Sequence, residues 1–337
     1  MITPRERLLL AASHSLTDRF PIIQPLQTGT IDLMRSSGAF WPEAHRDSRA
    51  MAKLSFAAYS VLGIENFRIP FDMNIEPEAM GCTLDWRRWD NQPWVRKPAV
   101  EHLGDLENLE LPDLKRDGRF PVVISAVEEL REMPGAMDIP TIVGIEGPFT
   151  MAAQIFGVER FIMGLYREKE AMKNLLDLCD SICTAYSQEL SDRGTDAITI
   201  IDGTSSSDVI SPDDFERYSL PHLRRAIEGT DVPKILHVCG RIIPIREGLV
   251  SAGADVLSVD SGEDITALKT LAHGRCSIAG NINVVHVLLR GDAQRIIQET
   301  RRCISESDIP CPGCGFPPAT RTESILTMVR EMRAVFN

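Results

Sequence analysis

Short runs rich in β-branched and apolar residues alternate along the chain with longer stretches in which apolar side chains recur every three or four positions. The first pattern predicts buried strands and the second amphipathic helices. Eight strands are expected, at residues 21–24, 64–70, 141–146, 197–202, 234–239, 256–260, 276–281 and 309–314. The first and last are the weakest, because proline interrupts them and cannot donate to a strand ladder. Helical spacing covers 48–62, 121–131 and 322–336, and the long stretch 150–193 reads as two helices broken around 164–169. Ser211-Pro212-Asp213-Asp214 opens another helix, with a serine cap, proline at the first position and acids in the first turn. Helices end near Gly194, Gly253 and Gly274 and feed directly into strands, the loop pattern of a parallel α/β fold.

Eight strand–helix units predict a (β/α)8 TIM barrel, with residues 1–337 as a single domain. A doubly wound sheet is the alternative, but no G-x-G-x-x-G follows the first strand and no P-loop motif occurs. An insertion after strand 2, residues 72–118, carries Trp86, Trp89 and Trp94, three of the chain's four tryptophans.

Composition narrows the function classes. A formal charge of −12 argues against nucleic acid or an anionic membrane as the main partner. No apolar run reaches 18 residues, and the apolar stretch 8–12 is too short for a signal peptide. Eight irregularly spaced cysteines in 337 residues fit a reducing cytoplasm, where thiols are buried, metal-bound or catalytic.

In a barrel of this kind chemistry gathers at the C-terminal ends of the strands. Here those ends offer Gln27 and Thr28, then Asp72, Glu146, Asp202, His237 with Cys239, Asp260, Asn281 and Cys314. His237 and Cys239 are two residues apart on one strand and share a face. Imidazole plus thiolate is a zinc-preferring pair, and Cys314 at the end of the last strand supplies a third ligand, leaving the fourth position for substrate. Asp260 or Glu146 is a candidate for that position when substrate is absent. Three other readings stay open: a buried cysteine with a core histidine, a redox C-x-x-C at Cys311–Cys314, and a structural zinc site. Asp72, Asp202 and Asn281 are equally readable as helix caps.

Several motifs resemble the uroporphyrinogen decarboxylase superfamily: Arg68-Ile69-Pro70-Phe71-Asp72, Leu236-His237-Val238-Cys239-Gly240, Gly280-Asn281 and Pro312-Gly313-Cys314-Gly315. Gln27-Thr28-Gly29-Thr30, Trp41-Pro42-Glu43-Ala44-His45 and Glu146-Gly147-Pro148 are similar to its zinc-dependent corrinoid branch, the methylcobamide:coenzyme M methyltransferases. The arginine-rich motif of true decarboxylases is replaced by residues 24–30, and no arginine follows until Arg35. The resemblance implies zinc on His237, Cys239 and Cys314, and a methyl group exchanged between a corrinoid on a partner protein and a small substrate, foremost a thiol. It also implies that Asp202, Asp260 and Glu146 act around the reacting centre, while Gln27, Thr28, Asp72 and Asn281 bind substrate. The alternatives are corrinoid-dependent O- or N-demethylation and a metal-free decarboxylase-like lyase.

Overall fold

The computed structural model describes residues 2 to 86 and 88 to 336. Eight strands form: β1 (Phe67–Ile69), β2 (Thr83–Asp85), β3 (Trp94–Lys97), β4 (Thr141–Glu146), β5 (Ala197–Ile201), β6 (Lys234–Val238), β7 (Val256–Val259) and β8 (Ser277–Ala279). Six of them pair in parallel in the order β1-β4-β5-β6-β7-β8, with helical crossovers between them. Every residue of β1, β4, β6, β7 and β8 is buried, as strands covered on both faces must be.

The two proline-interrupted segments take the remaining places in the ring without becoming regular strands. Segment 21–24 runs beside β1: Glu65 N–H donates to Ile22 O, and Asn66 bonds the Gln24 backbone through both its amide atoms. On the other side, Ile309 and Pro312 make isolated parallel bridges to Ala279 and Ile282. Pro310 and Pro312 lack the N–H groups a full ladder needs, so a side chain and single bridges stand in for it. The two segments meet where Gln24 Nε2 donates to Cys314 O (3.0 Å) and Phe316 N–H to Gln27 O (3.0 Å).

One apolar cluster draws Ile23, Ile142, Ala197, Ile235, Val256, Ala279 and Ile309 together, one from almost every position around the ring. Ile142, Ala197, Ile235 and Val256 hold the first or second position of their strands, and Leu8 and Ala12 of the Pro4–Ala12 helix complete the cluster there. The architecture is the expected (β/α)8 barrel, closed below and open at its C-terminal mouth.

Two expectations shift. The stretch 150–193 contains three helices, Pro148–Phe156, Val158–Arg167 and Lys169–Asp192. The break at Glu168 falls where expected; the other is at Gly157, whose positive φ of 88° reverses the chain inside an apolar run that reads as continuous. The insertion folds as a short helix (Ile75–Ala79), the antiparallel β2–β3 hairpin and a 3₁₀ segment (Leu103–Asn108).

Candidate active site

His237 lies near the end of β6 and Cys239 just beyond it, so the period of two aims both side chains at the barrel mouth. Cys314 arrives from the opposite end of the chain. The His237, Cys239 and Cys314 donor atoms all fall within 4.8 Å of one another, and His237 Nε2 is 2.9 Å from Cys239 Sγ. A tetrahedral zinc site with the usual bond lengths has ligand–ligand edges of roughly 3.5–3.8 Å, which this spacing admits. His237 is fully buried, and its Nδ1 lies 3.1 Å from Ser258 Oγ, the residue paired with it across β6 and β7. That contact holds the ring with Nε2 toward the two sulfurs. The thiols behave as a pair: its hydrogen bond to Cys314, and then burial, push Cys239 up. The bonds from Cys239 and His237 hold Cys314 well below the ordinary thiol range against burial.

The three residues line a cavity of about 290 Å³ together with Leu26, Gln27, Phe71, Asp72, Ile201 and Phe316. Asn91 and Gln92, from the turn of the β2–β3 hairpin, overhang it. At the rim, Asp72 is fully buried. Burial alone would raise its carboxyl, but Arg119, at 2.8 and 2.9 Å, and His45 Nδ1, at 2.8 Å, hold it well below the usual range. His45 is itself pushed down by burial, more than Asp72 can offset, so the ring is neutral.

The other strand-end residues separate into those near the trio and those committed elsewhere. Asp260 lies near enough for its charge to disfavour both thiolates, and its Oδ1 accepts from Ser261 N (2.6 Å). Gln27 lines the cavity, while Thr28 is buried with its hydroxyl unpartnered and does not. Asp202 does not line it either. Its carboxylate accepts from Phe149 N, Thr150 N and Thr150 Oγ1, and so caps the Pro148–Phe156 helix from the neighbouring strand. Burial nevertheless raises its pKa to about 6. Glu146 is fully buried behind the cavity wall, bonded to Gln154 (2.5 Å) and driven well upward by burial and then by Glu76 and Asp202. Neither carboxylate lines the cavity or joins the His237–Cys239–Cys314 group of donor atoms. Asn281 spends its amide on Asp260 O and Glu263 O and its carbonyl on Arg302, all within the framework.

Sequence reasoning passed over Ser258 and Arg119, and quoted Arg68 and His45 within motifs without giving either a role. Two of these carried a signal: Ser258 and Arg68 are lone polar residues inside apolar strands, where a core-facing side chain needs a reason to be polar. A second cluster of metal-binding types, Asp177, Asp180 and His222, already holds a cation, because Arg225 lies 2.6–2.8 Å from all three.

The family model described as uroporphyrinogen decarboxylase (URO-D) matches residues 3–335. The chain belongs to the uroporphyrinogen decarboxylase family. Within that family it is 32% identical to methylcobamide:CoM methyltransferase MtaA of Methanosarcina barkeri over 97% of this chain and 96% of that protein. It is 34% identical to methylcobamide:CoM methyltransferase MtbA of Methanosarcina mazei, with the same coverage. Identity to the uroporphyrinogen decarboxylase of Citrifermentans bemidjiense is 26% over 84% of this chain and 86% of that one. A solved methyltransferase from Methanosarcina mazei superimposes over all of both chains with a TM-score of 0.96 at 30% identity.

Proposed function

We propose that this family member is a zinc-dependent methyltransferase, exchanging a methyl group between a corrinoid carried by a partner protein and a small thiol bound in the barrel mouth. The observation that carries the reading is the His237–Cys239–Cys314 trio on a small cavity, a buried histidine with two half-buried cysteines whose donor atoms lie within 4.8 Å of one another. Relatives at 32–34% identity are named methylcobamide:CoM methyltransferases, whereas decarboxylase relatives stand at 25–26%, which favours transfer over the lyase alternative. The whole chain as one barrel domain, and a reducing compartment for its eight free cysteines, belong to the same reading.

His237, Cys239 and Cys314 would hold the metal, which when bound supplies a Lewis acid that keeps an acceptor sulfur deprotonated at neutral pH. The protein's own residues do the rest. Ser258 fixes the His237 ring. Leu26, Phe71, Ile201 and Phe316 give the cavity apolar walls that exclude water from the acceptor sulfur. In the transfer a sulfur–carbon bond forms as the cobalt–carbon bond breaks; cobalt keeps the electron pair and the thiol proton goes to solvent. Asp260, near both thiols, is the group in this reading that lies close enough to influence that proton.

Elemental analysis tests the ligand set. The purified protein should carry about one zinc per chain, and Cys314→Ala should lose most of it. Full zinc retention in Cys314→Ala would remove the assignment.

A further inference from the structure

The chain carries a C-x-x-C motif, Cys311-Pro312-Gly313-Cys314, and the fold sends its two thiols to different places. Cys311 is fully buried in the apolar plug with Leu8, Ala279 and Ile309, while Cys314 lines the cavity. The sulfur that Cys314 meets is that of Cys239. Their thiols are hydrogen-bonded, and both sulfurs belong to the group of donor atoms within 4.8 Å of one another. Exposure sorts the eight cysteines, all among the described residues, in the same way. Cys82, Cys179, Cys183, Cys276, Cys303 and Cys311 are buried; Cys239 and Cys314 are half-buried and open on the 290 Å³ cavity. Cys303, the neighbour of Cys311, donates its thiol to Gly280 O, and neither of these two is reached from solvent. The two thiols that a small molecule can reach are thus already in contact with each other.

A disulfide requires its sulfurs to close to about 2.05 Å. From hydrogen-bonding contact, rotation about the two Cα–Cβ bonds can supply that movement. Exchange with a low-molecular-weight disulfide proceeds in two steps. One cysteine attacks it, forms a mixed disulfide with half of the reagent and releases the other half as a thiol. The second cysteine then attacks the protein sulfur of that bond and releases the remaining half. Two cysteine thiols are oxidised, one small disulfide is reduced to two thiols, and the cysteine protons leave with them. The oxidised pair has no thiolate left to offer a metal. We propose that Cys239 and Cys314 form a reversible disulfide with small disulfides as oxidant, so that the site's capacity for metal follows the redox state of the surrounding thiol pool. The loss of metal rests on the ligand assignment made above; the cross-link rests only on the contact between two accessible thiols.

Thiol counting, peptide mapping and zinc release separate those two parts. Protein stripped of metal by a chelator is incubated with 2-hydroxyethyl disulfide, alkylated and digested. It should lose two of its eight free thiols and yield one cross-linked peptide pair carrying Cys239 and Cys314, with dithiothreitol restoring both thiols. Zinc-loaded protein should release about one zinc per cross-link to a chromophoric chelator. Cys311→Ser should behave as the wild type. In Cys239→Ser, Cys314 has no resolving partner and should stop as the mixed disulfide, its peptide heavier by one hydroxyethylthio group. A Cys311–Cys314 or Cys303–Cys311 cross-link, retention of all eight thiols, or mixed disulfides that persist in the wild type overturn the proposal. A Cys239–Cys314 cross-link in a protein that takes up no zinc even when reduced would leave the redox pair standing and remove the ligand assignment.

Discussion

Ser258 is a single hydroxyl in an apolar strand, and it decides which nitrogen of His237 faces the sulfurs. Removing the partner of a ligating histidine typically weakens metal binding 10- to 100-fold. Ser258→Ala should show a loss in that range by competition with a chromophoric chelator, and unchanged affinity would mean that the ring is held in some other way. Glu76 gives a pH test. It is fully buried, accepts from Glu146 N (3.0 Å), and burial raises its pKa from 4.5 to about 8. A carboxyl raised on folding binds its proton more tightly in the native state, so its contribution to stability falls as pH rises from about 4.5 to about 8. The slope is on the order of 1.4 kcal/mol per pH unit for a single group. Glu76→Gln should flatten that limb, so that denaturation midpoints of variant and wild type diverge in the variant's favour between pH 5 and pH 8. Parallel curves would show that Glu76 is ionised in the fold. At this scale the His237–Cys239 pair was legible, because a period of two on a strand needs no tertiary knowledge. The roles of Asp202 and Asn281 were not, since a polar group at a strand end serves a neighbouring helix or the framework as readily as a substrate, and only the packed structure shows which.

Between neighbouring elements the barrel is tied by side chains that cross from one unit to the next. Asp202, at the end of β5, takes the place of a local cap on the Pro148–Phe156 helix, which has no capping side chain of its own. Asp202→Ala should destabilise the fold by about 1–2 kcal/mol, the usual cost of a lost cap, with zinc content unchanged; loss of zinc would place Asp202 in the site after all. Gly147, the residue before that helix, confirms how close the two units run, since a Cβ there would stand 2.3 Å from Asp202 Cβ. The six central strands could be read from sequence because buried parallel strands are unbroken apolar runs. Segments 21–24 and 309–314 could be placed but not typed: their prolines remove ladder donors, and their pairing is completed by Asn66 and Gln24 from elsewhere in the chain. The break at Gly157 was hidden because apolar periodicity continues through it on both sides.

As a whole molecule the barrel is asymmetric, filled by an apolar plug at one end and presenting a 290 Å³ cavity lined by His237, Cys239 and Cys314 at the other. Among the described residues no helix is long and apolar enough to cross a membrane. The cavity is too small for a corrin ring, so on the proposed function the corrinoid stays across the mouth and only the methyl group is handed to an acceptor held inside. The most direct measurement follows methylcobalamin by its absorbance in the presence of 2-mercaptoethanesulfonate, with zinc-loaded wild-type protein beside Cys239→Ala. The account predicts conversion to cob(I)alamin with formation of the methyl thioether by the wild type, and loss of both in Cys239→Ala. Wild-type protein that holds zinc yet leaves methylcobalamin intact, or a Cys239→Ala variant that converts it at the wild-type rate, would contradict it.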